Sequence, residues 1–130
     1  MRVAHLFVLG AFMASPAAAA QWMSCTDAIG EASFDYFIAD GADFSVSAVT
    51  VTARERVWAS DPANGPGDPI LVGNFHDDVT LSFVDATDEA RNKVAELKGF
   101  KATEGETTVY GGTLRIAGVG AWVVSCAPTS

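Results

Sequence analysis

Apolar and polar residues alternate along short segments through most of the chain after residue 22. In residues 32–38, for example, Phe34 and Tyr36 share one parity while Ser33 and Asp35 share the other. A two-residue period is that of a half-buried β-strand, because successive side chains of a strand point to opposite faces. The pattern therefore predicts a mainly β domain, either an antiparallel β-sandwich or a partly closed barrel.

The Val- and Thr-rich segment 44–58 changes its parity partway along. Its apolar residues occupy even positions up to Ala48 and odd positions from Val49 to Val57. A slip of one residue turns every following side chain to the other face of a sheet. The change predicts a β-bulge, or a strand that passes from one sheet to another, near these two residues.

One segment has the period of a helix instead. Ala90, Val94 and Leu97 lie at positions i, i+4 and i+7, and a glycine follows Leu97 by two residues. Asp85 or Thr87 is a suitable N-cap, because a short polar side chain accepts hydrogen bonds from the free N–H groups of a first turn. We expect one α-helix here, before a C-terminal hairpin.

Two adjacent glycines predict the turn of that hairpin. Gly111 and Gly112 separate the segments 107–110 and 113–116. Glycine readily adopts the positive φ values that two-residue hairpin turns require. The expected fold thus adds one helix and a final hairpin to an antiparallel sheet.

The first 20 residues have the features of a secretory signal peptide. Arg2 precedes an apolar run over 6–13, and small residues over 14–20 end in Ala-Ala-Ala. The run is much shorter than the about 20 apolar residues that cross a bilayer, and Gln21 stands where a lipoprotein would have cysteine. We expect cleavage before Gln21, no membrane anchor, and a single exported β-rich domain over 21–130, periplasmic or extracellular.

Two cysteines lie near the two ends of that domain. Cys25 and Cys126 are 101 residues apart, and neither has a C-x-x-C partner or a basic neighbour that would lower its pKa. In an exported chain such a pair predicts a structural disulfide, with free or intermolecular thiols as the alternatives. Closing this loop stabilises the fold by at most about 4–5 kcal/mol.

The charge balance argues against nucleic acid as a partner. The chain has 8 Lys and Arg against 16 Asp and Glu, a formal net charge of −8, whereas phosphate backbones bind clusters of basic residues. The sequence also lacks the G-x-S-x-G nucleophile motif, the P-loop and the dinucleotide fingerprint. We therefore expect no cofactor.

His76-Asp77-Asp78 is the triplet with the most reactive side chains. It could serve acid–base chemistry or a metal, but His76 is the only histidine after the predicted cleavage. The alternative is a polar bend between two strands, in which Asp78 accepts local backbone hydrogen bonds. One histidine is too few ligands for a usual transition-metal site, so the sequence favours the polar bend.

The loop 61–69 is rich in proline and glycine and carries three oxygen-bearing side chains. Asp61, Asn64 and Asp68 are weak candidate ligands for calcium, because their spacing misses the EF-hand pattern. Asp40 and Asp43 offer another small cluster of such ligands, and no further metal site is expected.

Aromatic residues offer two further possibilities. Trp22, Trp58, Trp122, Tyr36 and Tyr110 could line a ligand cleft or form a recognition patch, or they could belong to the core. Trp58 shares its strand parity with two arginines, and Arg and Trp are enriched at interfaces. Candidate partner-binding residues are therefore Arg54, Arg56 and Trp58.

The shortage of catalytic motifs favours a binding function. We expect a small, exported, soluble and non-enzymatic module that binds an unidentified protein, an envelope component or a small ligand. The alternative is a small hydrolase that uses carboxylates or His76.

Overall fold

The protein folds into strands along nearly all of its described length. The computed structural model describes residues 20–39, 45–65, 67–78 and 80–129, so the predicted signal peptide lies outside it except for Ala20. The strands are β1 (Gln21–Asp27), β2 (Ala32–Ala39), β3 (Ser45–Ala53), β4 (Arg56–Ala59), β5 (Asp68–Pro69), β6 (Leu71–Asp77), β7 (Leu81–Thr87), β8 (Lys93–Glu104), β9 (Thr107–Ile116) and β10 (Gly120–Thr129). A short 3₁₀ turn, Pro62–Asn64, precedes β5.

These strands form one sheet in the order β5-β4-β3-β2-β1-β10-β9-β8-β7-β6. Every neighbouring pair is antiparallel except β4 and β5. The first and last strands meet in the middle of the sheet, and β3 and β6 approach each other from its two sides. The sheet is therefore a nearly closed barrel, one of the two architectures that the alternation predicts.

Alternate residues of these strands fill the interior of the barrel. In β2 the expected parity is confirmed, since Phe34 is fully buried and Tyr36 is 5% exposed. Burial of each large apolar side chain contributes about 1.5–3 kcal/mol. The largest fully buried apolar side chains are Phe34, Val49, Val51, Val84, Leu97, Leu114 and Ile116.

A disulfide joins the first strand to the last. Cys25 and Cys126 are bonded to each other and lie directly opposite in the β1–β10 ladder. Cys25 is fully buried, so the bond lies on the interior face of the sheet. The predicted Cys25–Cys126 pairing is confirmed.

The predicted change of parity in β3 is also confirmed as a bulge. Phe37 lies opposite Ala48 and Ile38 lies opposite Val46, so Ser47 is an additional residue on β3. Ala48 and the residue after it are both buried, which is the slip that the sequence pattern indicates.

The predicted α-helix is wrong. Val94 and Leu97 lie in β8, Ala90 lies in the turn before it, and the described residues contain no α-helix. The segment from Val94 to Lys98 also alternates, with Ala95 and Leu97 buried. The neighbouring strands β7 and β9 pair with it on both sides, so the sheet overrides the short helical stripe.

The two expected caps of that helix belong to β7. Asp85 is 1% exposed, and its carboxylate accepts a hydrogen bond from the backbone N–H of Asn74 at 2.6 Å. Asn74 lies where the β6–β7 register shifts, so Asp85 satisfies a backbone donor at an irregularity in the ladder. Thr87 ends the strand.

The predicted Gly111-Gly112 turn is wrong as well. Both glycines lie within β9, and the hairpin that joins β8 to β9 turns at Gly105-Glu106. A Cβ atom at Gly112 would overlap the carbonyl oxygen of Lys98 on the neighbouring strand. This glycine therefore permits a close approach of two strands and makes no turn.

Candidate ligand-binding site

An open pocket of about 250 Å³ lies at the end of the barrel where β1 begins and β6 ends. An engineered cavity of about 150 Å³ holds benzene, so by the same measure this pocket admits about ten non-hydrogen atoms. Its apolar walls are the side chains of Met23, Ile38 and Phe75 and the rings of Tyr36 and Tyr110. The rest of its lining is polar and consists of Gln21, Asp77 and Lys101.

The two-residue period of the strands positions these groups. Tyr36 and Ile38 are two apart on β2, so both side chains face the same side of the sheet. Phe75 and Asp77 are related in the same way on β6. The pocket draws its walls from β1, β2, β6, β8 and β9, strands that are distant in the sequence.

A largely buried ion pair closes one side of the pocket. The Lys101 ammonium contacts the Asp77 carboxylate and donates a hydrogen bond to the carbonyl oxygen of Asp78 at 2.8 Å. It also lies 5.8 Å from the ring centroid of Tyr110. The Lys101 and Asp77 side chains are 14% and 21% exposed, so both charges are mostly withdrawn from water and compensate each other.

Tyr36 supplies an uncharged hydroxyl to the same pocket. Burial raises the pKa of Tyr36 above its ordinary value of 10.0, the nearby Ser82 hydroxyl partly opposes that rise, and the negative charge of Asp77 adds to it. The hydroxyl therefore stays protonated at neutral pH and can both donate and accept a hydrogen bond.

A second, smaller cavity of about 10 Å³ adjoins the first. Tyr36, Lys101 and Tyr110 border both cavities, and Ser82 and Cys126 line the smaller one. The Ser82 hydroxyl is buried there beside the Tyr36 hydroxyl, whose pKa it lowers by hydrogen bonding.

The His76-Asp77-Asp78 triplet does not converge on one site. His76 is exposed and pairs with the Asp78 carboxylate at 3.1 Å, whereas Asp77 lines the pocket. Hydrogen bonds from the backbone N–H groups of Thr80 and Leu81, and then from His76, hold the pKa of Asp78 well below its ordinary value. Asp78 thus accepts the local backbone hydrogen bonds of a polar bend.

The structure separates the three candidate partner-binding residues by exposure. Trp58 is 5% exposed and belongs to the core, and the Arg56 guanidinium lies 4.4 Å from its ring centroid. Arg56 also pairs with Asp68 at 3.5 Å, and Arg54 pairs with Glu31 at 3.2 Å. Partner binding at Arg54, Arg56 and Trp58 stays a prediction.

The carboxylates of Asp61 and Asp68, two of the three candidate calcium ligands, have other partners, and Asp40 and Asp43 lie outside the described residues. The Asp61 carboxylate accepts a hydrogen bond from the Ala63 N–H at 2.9 Å, and the Asn64 N–H donates to the Asp61 carbonyl oxygen at 3.0 Å. Asp68 faces Arg56. Within the described ranges, no three His, Cys, Asp or Glu side chains converge to hold a metal ion.

Sequence reasoning identified only part of this pocket. Tyr36 and Tyr110 were candidates for a ligand cleft, and Asp77 was considered only together with His76. Lys101 was missed, although its odd parity matches that of Leu97 and places an ammonium on the inner face of β8. An inward charge on an otherwise apolar strand face is the signal that would have found it.

Comparisons of the chain with models of protein families, with curated proteins and with solved structures find no match. In the part of the chain that the structure describes, no helix is long and apolar enough to span a membrane. The function of the protein is therefore inferred from the geometry of the pocket.

Proposed function

We propose that this protein is a small, exported, non-enzymatic binding protein that holds a small ligand in the pocket at the end of its barrel. The observation that carries the proposal is the pocket itself, in which apolar side chains and two tyrosine rings lie beside the polar groups of Gln21, Asp77 and Lys101. Ligand sites combine apolar and aromatic side chains with placed polar groups, and the mouths of β-barrels are common places for them.

The surrounding framework supports a preformed site. Each pocket wall belongs to a strand that is hydrogen-bonded to a neighbour, and the Cys25–Cys126 bond ties the first strand to the last. A site that is already ordered loses little conformational entropy when a ligand binds.

Export is supported by two independent features. Structural disulfides persist in oxidising compartments, and the first 20 residues have the order of charge, apolar run and small residues of a signal peptide. Mass spectrometry of protein recovered from the exported fraction of an expression host should give a mature chain that begins at Gln21. A chain that retains Met1 after secretion would contradict this assignment.

The hydrolase alternative has weaker support. General acid–base catalysis needs the participating groups within hydrogen-bond reach of one substrate atom. His76 is exposed and faces Asp78, while Asp77 is engaged by Lys101 inside the pocket. Asp77 lines the pocket at the end of the barrel, and His76 does not.

Ligand-induced thermal stabilisation, measured over a panel of small ring compounds, tests the proposal. A compound that binds only the folded protein raises its melting temperature. We expect stabilising compounds to lose their effect in Ile38→Trp, because the larger side chain fills the pocket. Val123→Trp is the matched control, since Val123 is 79% exposed and does not line the pocket. A panel without any stabilising compound, or stabilisation that survives Ile38→Trp, would contradict the proposal.

A further inference from the structure

We infer that the ligand of this pocket is an uncharged ring compound that carries a hydroxyl group, an inference that rests on the proposed binding function. The size of the pocket, its charge balance and its hydroxyl groups each narrow the class of ligand. The charge balance is the most restrictive of the three.

The ion pair disfavours a charged ligand of either sign. Lys101 already directs its ammonium to the Asp77 carboxylate, the Asp78 carbonyl oxygen and the Tyr110 ring, so an anion would have to displace Asp77. A cation would lie against the Lys101 ammonium. The α-amino group that cleavage before Gln21 would create is exposed to water at the pocket mouth, so it offers a charged ligand only a solvated partner. A charge that leaves water without a free partner pays a large desolvation cost, whereas an uncharged ligand avoids it.

The apolar walls favour a ring. Met23, Ile38 and Phe75 offer no hydrogen-bonding group beyond the weakly accepting thioether of Met23, and the two tyrosines present ring faces or edges. Aromatic side chains pack well against another ring, and a volume of about 250 Å³ exceeds what benzene needs. A single or fused ring of about ten non-hydrogen atoms matches these walls.

The hydroxyl groups favour a ligand that both donates and accepts a hydrogen bond. Tyr36 and Tyr110 border the pocket, and the Ser82 hydroxyl lies beside Tyr36 in the small cavity that the same two tyrosines line. A ligand hydroxyl can pair with these groups in either direction, which a purely apolar ring cannot do.

Four compounds with the same fused ring test the inference by calorimetric titration of the oxidised protein at neutral pH. They are 2-naphthol, naphthalene, 2-naphthoate and 2-naphthylmethylammonium. We expect 2-naphthol to bind at least about tenfold more tightly than each of the other three. Its affinity should be the same at about 50 mM and about 500 mM salt, because no ion pair forms on binding.

Two substitutions each remove one member of the ion pair and leave the other free to bind a charged ligand. Lys101→Met leaves Asp77 without its partner, so the affinity for 2-naphthylmethylammonium should rise about tenfold. Asp77→Asn frees the ammonium and should raise the affinity for 2-naphthoate by a similar factor. Lys98→Met is the control, because Lys98 is exposed and does not line the pocket.

The outcomes separate this inference from the proposed function. Tighter binding of either ion than of 2-naphthol, or equal binding of naphthalene, overturns the inference and leaves the pocket as a binding site. Absence of binding by all four compounds to the wild-type protein overturns the proposed function together with the inference. The order of the four wild-type affinities is decisive even if a variant fails to fold.

Discussion

The two ends of the barrel differ in the side chains that fill them. Where β1 ends and β10 begins, the interior holds Ala32, Ala53, Ala86, Ala95 and Ile116, each at most 2% exposed. We call this the closed end. Its alanines come in facing pairs, since Ala32 lies opposite Ala53 and Ala86 lies opposite Ala95.

At the other end, which we call the open end, long amphipathic side chains replace the alanines. Tyr36, Asp77, Lys101 and Tyr110 border the pocket there, and Lys101 and Asp77 retain some exposure. Both ends belong to the same hydrogen-bonded sheet. The difference shows that the size and polarity of the inward side chains decide whether this barrel is packed or open, since small side chains let the walls come together.

Removal of the disulfide should produce the largest change in stability. Cys25 lies between the closed end and the open end, so the bond holds together strands that contribute to both. Replacing both cysteines with alanine removes a crosslink that spans 101 residues, and we expect a loss of up to about 4–5 kcal/mol. Urea unfolding of the double variant measures this loss. A loss below about 1 kcal/mol would show that the barrel holds its first and last strands together without the bond.

Matched isoleucine truncations should separate the two ends by a smaller amount. Ile116→Ala at the closed end should cost about 3–4 kcal/mol, because Ile116 is 1% exposed and leaves a cavity among packed side chains. Ile38→Ala at the open end should cost about 1 kcal/mol, since Ile38 is partly exposed and borders an existing pocket. Equal losses in chemical denaturation would contradict the assignment of one packed and one open end.

The ion pair at the open end should contribute less. Lys101→Met should lower the free energy of unfolding by about 1–2 kcal/mol, because it leaves the mostly buried Asp77 carboxylate without its partner. The double variant Lys101→Met/Asp77→Leu should recover most of that loss. If the double variant loses as much as the sum of the two single variants, the pair is not coupled in the way that the geometry indicates.

The pH dependence of stability should show the smallest effect. The pKa of Tyr36 is higher in the folded protein than its ordinary value of 10.0, so the folded state binds this proton more tightly. Its contribution is fully present below pH 10 and is lost as the pH rises through the folded pKa. Tyr36→Phe should make the decline of stability above about pH 10 less steep. The unfolding midpoint, measured over a series of alkaline pH values, shows this decline. An unchanged slope would show that the Tyr36 hydroxyl is not withdrawn from water.

The strands were predictable where one face is buried. Alternation located β2, and the parity change at Ala48 located the bulge, because a buried face fixes which residues point inward. The disulfide followed from two cysteines in an exported chain. In each of these cases the residue types and their spacing were enough to predict the structural feature.

The helix and the pocket were not predictable for two different reasons. Ala90, Val94 and Leu97 satisfy a helical period, but pairing of β8 on both sides outweighs so short a stripe. The pocket depends on strand register across distant segments, since Lys101 meets Asp77 only after β6, β7 and β8 have paired. No local pattern carries that information.

A map of backbone amide shifts on titration with 2-naphthol tests the central claim most directly. The account predicts that the amides of Met23, Tyr36 and Tyr110 shift at the open end, while those of Ala95 and Ile116 at the closed end stay in place. Shifts confined to the closed end, or spread evenly over the barrel, would contradict a binding site built at one end of this fold.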